Sequence, residues 1–394
     1  MRSTSGEHFI ALDHVRAVAA FLVFSWHFLH NVDGSPIAFE FVPSVPLAAI
    51  VNQGHTGVAL FMTLSGYLFA KLIGGADGSI HYPSFLWNRA IRLLPLLVVV
   101  MALAAMQVVF TQGDLRAFAL SIVKGPIFPT LPNGGWSITV EAHFYLLLPL
   151  LLYLLRRSPW ALAATVVMAI GARLLLHAIR GEVQTLGYLT LVGRYDQFVL
   201  GILAYHLRAS MRHRHLIVGS IIIAFAGFWW LMNSLSGSRD FLAHPSPSGA
   251  WAFVPTIEGA TYGALIAWYD GSFAPPRRGL SRLIGRLGAY SYSIYLLHFF
   301  VVFHAVRAIE THVMPLFDFY VAMAWSLVAY VAMLPIGWLS FRFIESPFLR
   351  YRRRYVIAAA PALCNAGPAS LRSPEVKEEG NCTQHGSNVQ PSVP

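Results

Sequence analysis

Long apolar blocks closed by short polar or basic stretches recur along the whole chain. They fall near residues 10–30, 55–72, 93–111, 138–155, 160–179, 187–207, 216–234, 250–269, 288–308 and 321–343. At 1.5 Å per residue, each block crosses a hydrocarbon core about 30 Å thick, or nearly so. The pattern predicts an all-α, polytopic integral membrane protein with about ten transmembrane helices. The stretch 36–54 is also apolar, but Pro36, Pro43 and Pro46 interrupt it, so it reads as an external or re-entrant loop. The first block, from about Phe9 to His30, carries Asp13 and Arg16 near its start and has no small-residue cleavage site. It reads as a retained span and not as a removed signal segment.

Composition agrees with this pattern. Of the 394 residues, 56% are hydrophobic and 12% charged, against about 25% charged in an average soluble domain. The net charge of +10 would point to nucleic acid in a soluble protein. Here most lysines and arginines sit in loops on the side of the N-terminus. That bias orients a membrane protein and implies a lipid bilayer, not nucleic acid, as the partner. It puts both termini in the cytosol. Residues 1–350 read as a transmembrane domain, and 351–394 as a basic, then disordered, cytosolic tail. The last thirty positions are rich in Pro, Ser, Gly, Asn and Glu. Cys364 and Cys382 lie in that tail, where a cytosolic setting disfavours a disulfide. No zinc spacing occurs, and His213 and His215 alternate with Arg212 and Arg214 as a solvated loop would. No metal is expected, nor does an internal repeat of the transporter kind stand out.

Ionisable groups inside spans cost several kcal/mol unless paired or hydrated, so each is a functional candidate. Arg16 and His27 share nearly one face of the first span, about 16 Å apart along its axis. An imidazole at that depth can act as a general base on a hydroxyl or as a transient acyl carrier, or can hold a neighbouring helix. Arg89 and Arg92 share a helix face at a span entrance and suit phosphate oxygens, or else simply set orientation. Glu141 falls near the external end of the fourth span. There a carboxylate can orient an imidazole or hold a hydroxyl. Trp136 suits an interface belt as well as a site. Tyr295 and His298, three apart, can line a cavity with His27, whereas His304 points elsewhere. Glu345 is expected to anchor the basic run Arg350–Arg354. Gly66 permits a close helix approach or a break.

The order of these motifs carries a resemblance. Asp13, Arg16 and His27 resemble the first-helix motif of the membrane acyltransferase 3 family. Gly57-Val58-Ala59-Leu60-Phe61 through Leu64-Ser65-Gly66-Tyr67 resembles its second span. Arg89, Arg92 and Pro95 resemble its Arg-x-x-Arg-x-x-Pro entry. Trp136-Ser137 with Glu141 resembles its Trp-Ser-x-x-x-Glu signature. Arg194, Asp196, Phe198 and Gly201 resemble a later span, and Tyr292–His298 and Phe343–Phe348 the closing pair. The resemblance spans roughly residues 9–350 and implies an O-acyltransferase of the cell or inner membrane. It implies acyl-CoA, chiefly acetyl-CoA, as co-substrate, with no permanently bound cofactor. The acceptor would be a hydroxyl of a saccharide, such as a cell-surface or exported glycan. It implies catalytic roles for His27, Arg16 and Glu141, and donor binding by Arg89, Arg92, Ser65 and Tyr67. The acceptor and cavity would involve Asp13, Trp136, Arg194, Asp196, Tyr295 and His298. The alternative from another class is a transporter or flippase, in which the same polar groups would line a permeation path.

Overall fold

The computed structural model describes residues 9–30, 43–73, 79–236 and 246–357. The tail with its two cysteines lies outside these residues, as does the first part of the proline-bearing loop. The rest of that loop does not form a span. Pro46 opens a 3-10 turn that runs into short buried turns through Thr56.

The first helix, α1 (Ile10–Leu29), is at the centre of the bundle because it is apolar on two faces. Leu12, Val15, Ala19 and Leu22 enter one hydrophobic cluster. Ala17, Ala20, Phe24 and Phe28 enter another. A helix that is apolar nearly all round is stable only when enclosed. Then come α2 (Gly57–Ile73), α3 (Tyr82–Phe110, with Pro95 inside), α4 (Trp136–Arg157) and α5 (Pro159–Arg180). Ser158 caps α5 by accepting from the Trp160 amide, and Pro159 fills the first helical position, where no amide donor is needed. The chain continues through α6 (Leu191–His206), α7 (His215–Ser236), α8 (Val254–Ser272) and α9 (Gly279–Ala289). Next are α10 (Ser291–Leu297), α11 (Val302–His312) and α12 (Phe319–Ser340). A π-helical turn, Phe341–Glu345, follows α12 and buries Glu345.

Among the described residues, seven helices are long and apolar enough to cross a membrane, or eight if the pair Ser291–Phe300 and Val302–His312, bent by 58°, is one span. The expected count of about ten is not confirmed by length and composition. The two remaining expected spans correspond to α6 and α8. The first has only 16 residues, and the two carry Arg194, Asp196, Glu258 and Asp270 between them. Both are inner helices whose charges are paired inside the bundle, Arg194 with Glu258, Asp196 with Arg173 and Asp270 with Lys71, so hydropathy alone understates how deeply they are enclosed.

Helix α6 crosses α2 at unusually short range. A Cβ on Gly66 would stand 2.0 Å from the Phe198 carbonyl oxygen, and one on Gly201 would stand 2.0 Å from that of Thr63. Each helix thus supplies the glycine that admits the other's backbone. This contact fixes the wall behind the site.

From residue 351 to residue 357 the chain stays packed on the helical body. Strand β1 (Ser79–Ile80) pairs antiparallel with β2 (Val356–Ile357). Asn88 donates to the Arg353 carbonyl at 2.7 Å and accepts from the Arg353 amide at 2.9 Å. Tyr355 joins the core cluster around Phe85 and Tyr145.

Candidate active site

The helix ends bring one set of arginines together. Where α1 begins, α2 finishes and α3 begins, a cavity of about 210 Å³ opens into the bundle. Arg16, Arg89, Arg92 and Arg352 line it, with Asp13 and Glu141 as its carboxylates. Four guanidinium groups against two carboxylates leave the chamber net positive. Asp13 pairs with Arg16 one turn away. No carboxylate pairs with Arg89 or Arg92 among the described residues. Arg89 is instead held by aromatic faces, its guanidinium 5.0 Å from the Phe69 ring, 5.3 Å from Phe85 and 5.8 Å from Tyr145. Such stacking fixes the plane of the group and leaves its N–H edges for a ligand.

Further in, Glu141 accepts hydrogen bonds from Tyr145 and, at 3.3 Å, from Ser65. It stands in the second turn of α4 and faces this chamber. At the deep end the Tyr295 hydroxyl lies 2.8 Å from the Ser137 hydroxyl and 3.1 Å from the Gly134 carbonyl.

One imidazole, His298, adjoins Tyr295, and a second, His27, adjoins His298. His298 lies 2.6 Å from the Tyr295 carbonyl through Nδ1. A carbonyl only accepts, so Nδ1 carries the proton and Nε2 presents a lone pair. That Nε2 is buried and meets no donor among the described residues. The His27 ring lies 5.0 Å from His298 and 4.5 Å from Phe299, centroid to centroid. His27 therefore faces protein. It stands beside the cavity and not among its lining residues.

Not every expected residue joins this group. Tyr67 is fully buried and donates to Asp270 at 2.8 Å, with Lys71 on the same carboxylate at 2.6 Å. Arg194, Asp196 and Trp136 lie in a second polar cluster. Arg194 donates to Glu258 at 3.3 Å and to the Tyr188 carbonyl at 2.8 Å. Arg173 donates to Asp196 at 2.8 Å and to Thr256 at 2.9 Å.

Comparison with known proteins decides the class. A family model described as an acyltransferase domain matches residues 9–342. The chain belongs to the acyltransferase 3 family. With its apolar helices, this makes it a membrane acyltransferase. Nodulation protein 10 of Rhizobium leguminosarum bv. viciae is 24% identical over 378 residues, covering 84% of this chain and 90% of that protein. Acyltransferase MdmB of Streptomyces mycarofaciens is 24% identical over 367 residues, covering 84% and 89%. No solved structure matches the chain.

Other residues of the acyltransferase, not singled out in the sequence, are buried or line the cavity. Arg173 is fully buried. Its position within an apolar block was the available signal, since a lone arginine there demands a partner. Tyr145, Tyr292, Arg352 and Tyr355 also line the cavity. The aromatic residues give no local signal. Arg352 lies in a basic run that reads as surface.

Proposed function

We propose that this acyltransferase moves an acyl group, in the first instance acetyl, from cytosolic acyl-CoA to a hydroxyl of a saccharide-type acceptor. The observation that carries the reading is the net-positive chamber ending at Tyr295, with His27 and His298 directly behind it. CoA is a polyanion, and guanidinium groups bind phosphate oxygens through paired, charge-assisted hydrogen bonds. Arg16, Arg89, Arg92 and Arg352 would take the phosphates at the end of the bundle where α1 begins. The charge bias of the loops supports a cytosolic setting for that end.

In this reading the thioester lies toward Tyr295 and the acceptor hydroxyl toward the two histidines. His27 takes the hydroxyl proton as the oxygen attacks the thioester carbonyl. The C–S bond breaks, the ester forms, and the thiolate of CoA leaves and is reprotonated. General base catalysis of this kind contributes about 10²–10⁴ in rate. Tyr295 and Ser137 supply hydroxyls close to where the oxyanion develops. Glu141, held by Tyr145 and Ser65, stands beside the arginines and would orient them, not the imidazole.

The test is transfer of labelled acetyl from acetyl-CoA in membranes containing the protein, with photolabelling by a CoA analogue. The expected result is labelling at the chamber and transfer that depends on His27. Full transfer by His27→Ala would remove His27 from the mechanism, and an absence of photolabelling would remove the donor site.

A further inference from the structure

The second polar cluster differs from the chamber in charge and in walls. Arg173 and Arg194 are matched by Asp196 and Glu258, so the network is neutral. All four are at most 2% exposed. The cluster stands at the opposite ends of the helices from the arginine chamber: at the start of α6 and α8, beyond the end of α1 and before the start of α2.

Aromatic faces enclose it. The Arg194 guanidinium lies 4.3 Å from the Tyr188 ring and 6.0 Å from Trp136, and those two rings lie 5.1 Å apart. His55 stands edge-on to Tyr188 at 5.4 Å. The polar edge is incompletely used. Arg194 donates through Nε and Nη1, but its Nη2 is buried with no partner among the described residues. A buried charged donor left unpaired is costly, and such a group calls for a ligand or water.

We propose that this cluster is the acceptor subsite and that it takes a neutral, polyhydroxylated ring. The proposal rests on the acyltransferase reading above and adds where and how the acceptor is held. A hydroxyl both donates and accepts, so it matches an N–H placed beside a carboxylate, as in the Arg194–Glu258 pair. An anion would meet Glu258 and Asp196, and a cation would meet the two arginines. Flat rings such as Trp136 and Tyr188 suit the apolar C–H face of a sugar ring. The subsite also sits correctly for transfer. Trp136 faces it from the first residue of α4, while the next residue, Ser137, lines the donor chamber and bonds Tyr295.

The full chain in nanodiscs tests this. Binding of neutral tetrasaccharides (cello-, malto- and chitotetraose) and of an anionic tetragalacturonate is read by native mass spectrometry, beside acetyl-CoA affinity by calorimetry. At least one neutral tetrasaccharide is expected to bind and the anionic one is not. Trp136→Leu and, separately, Arg194→Lys are expected to weaken that binding at least tenfold with acetyl-CoA affinity within twofold of the parent. Retained acetyl-CoA affinity shows that each variant is folded. Preference for the anionic sugar, no binding by any neutral one, or unchanged saccharide binding in Trp136→Leu overturns the proposal. Saccharide binding without any acetyl-CoA binding in the parent leaves the subsite standing and overturns the donor reading instead.

Discussion

His27 and His298 stand with their rings 5.0 Å apart, brought together from the first and the ninth apolar blocks of the chain. His298 packs against Tyr295 and Phe299, and His27 against Phe299. Two neighbouring imidazoles cannot both be charged there at low cost. His27→Gln is expected to lower acetyl transfer by about 10²–10⁴, the contribution of a general base, with the Kd for acetyl-CoA unchanged. A variant that transfers at the parental rate would exclude His27 as the base.

Donor affinity should depend on guanidinium shape as well as on charge. Hydrogen bonds to charged groups contribute about 1.5–3 kcal/mol each, and 1.4 kcal/mol is tenfold in Kd. Arg89→Lys keeps the cation but loses the planar fork held between Phe69 and Phe85, and is expected to weaken acetyl-CoA binding about tenfold. Arg89→Ala with Arg92→Ala should weaken it about a hundredfold or more. Calorimetry in nanodiscs reads both, and unaltered affinity in the double variant would place the CoA phosphates elsewhere.

The buried ion pair offers a stability test independent of catalysis. Arg173→Met leaves Asp196 charged and enclosed, which costs about 3–5 kcal/mol. Adding Asp196→Leu removes the stranded charge and should restore most of that loss. Thermal unfolding in detergent distinguishes the cases. Equal destabilisation in the single and double variants would show that the pair is not coupled.

The crossing of α2 and α6 gives a further test. Gly66→Ala drives a methyl group into the Phe198 carbonyl, an overpacking cost of about 1–3 kcal/mol. Gly201→Ala should cost about as much. Because both act on one crossing, the double variant should cost less than the sum. Strict additivity in the melting curves would mean that the helices separate without coupling.

The sequence reading was strongest where physics is local. Spans show themselves through runs of twenty apolar residues, and Arg89 and Arg92 through helical spacing. It was weaker where a residue's meaning depends on a distant partner. The blocks that became α6 and α8 looked like spans of the same kind as α3. Their charged residues are tolerated because each meets a partner across helices, Arg194 with Glu258, Asp196 with Arg173 and Asp270 with Lys71. The sequence puts Glu141 near the external end of its span, to orient an imidazole or hold a hydroxyl. Its side chain faces the arginine chamber beside Ser65 and Tyr145, a direction that no spacing rule encodes. Tyr67 follows Ser65 by two positions and therefore faces elsewhere on the helix, toward Asp270. A motif read as one unit is thus divided between a cavity wall and a buried ion cluster.

The pairing of β1 with β2 sets an order on biosynthesis. Arg352 and Tyr355 reach the chamber only through the segment that ends in β2, the last stretch of the helical body to be translated. A nascent chain can insert every span and bury both histidines while its arginine chamber still lacks one wall. On the proposed reading, the ability to engage CoA therefore arrives late, after the ribosome has released the residues that dock on Asn88 and His81.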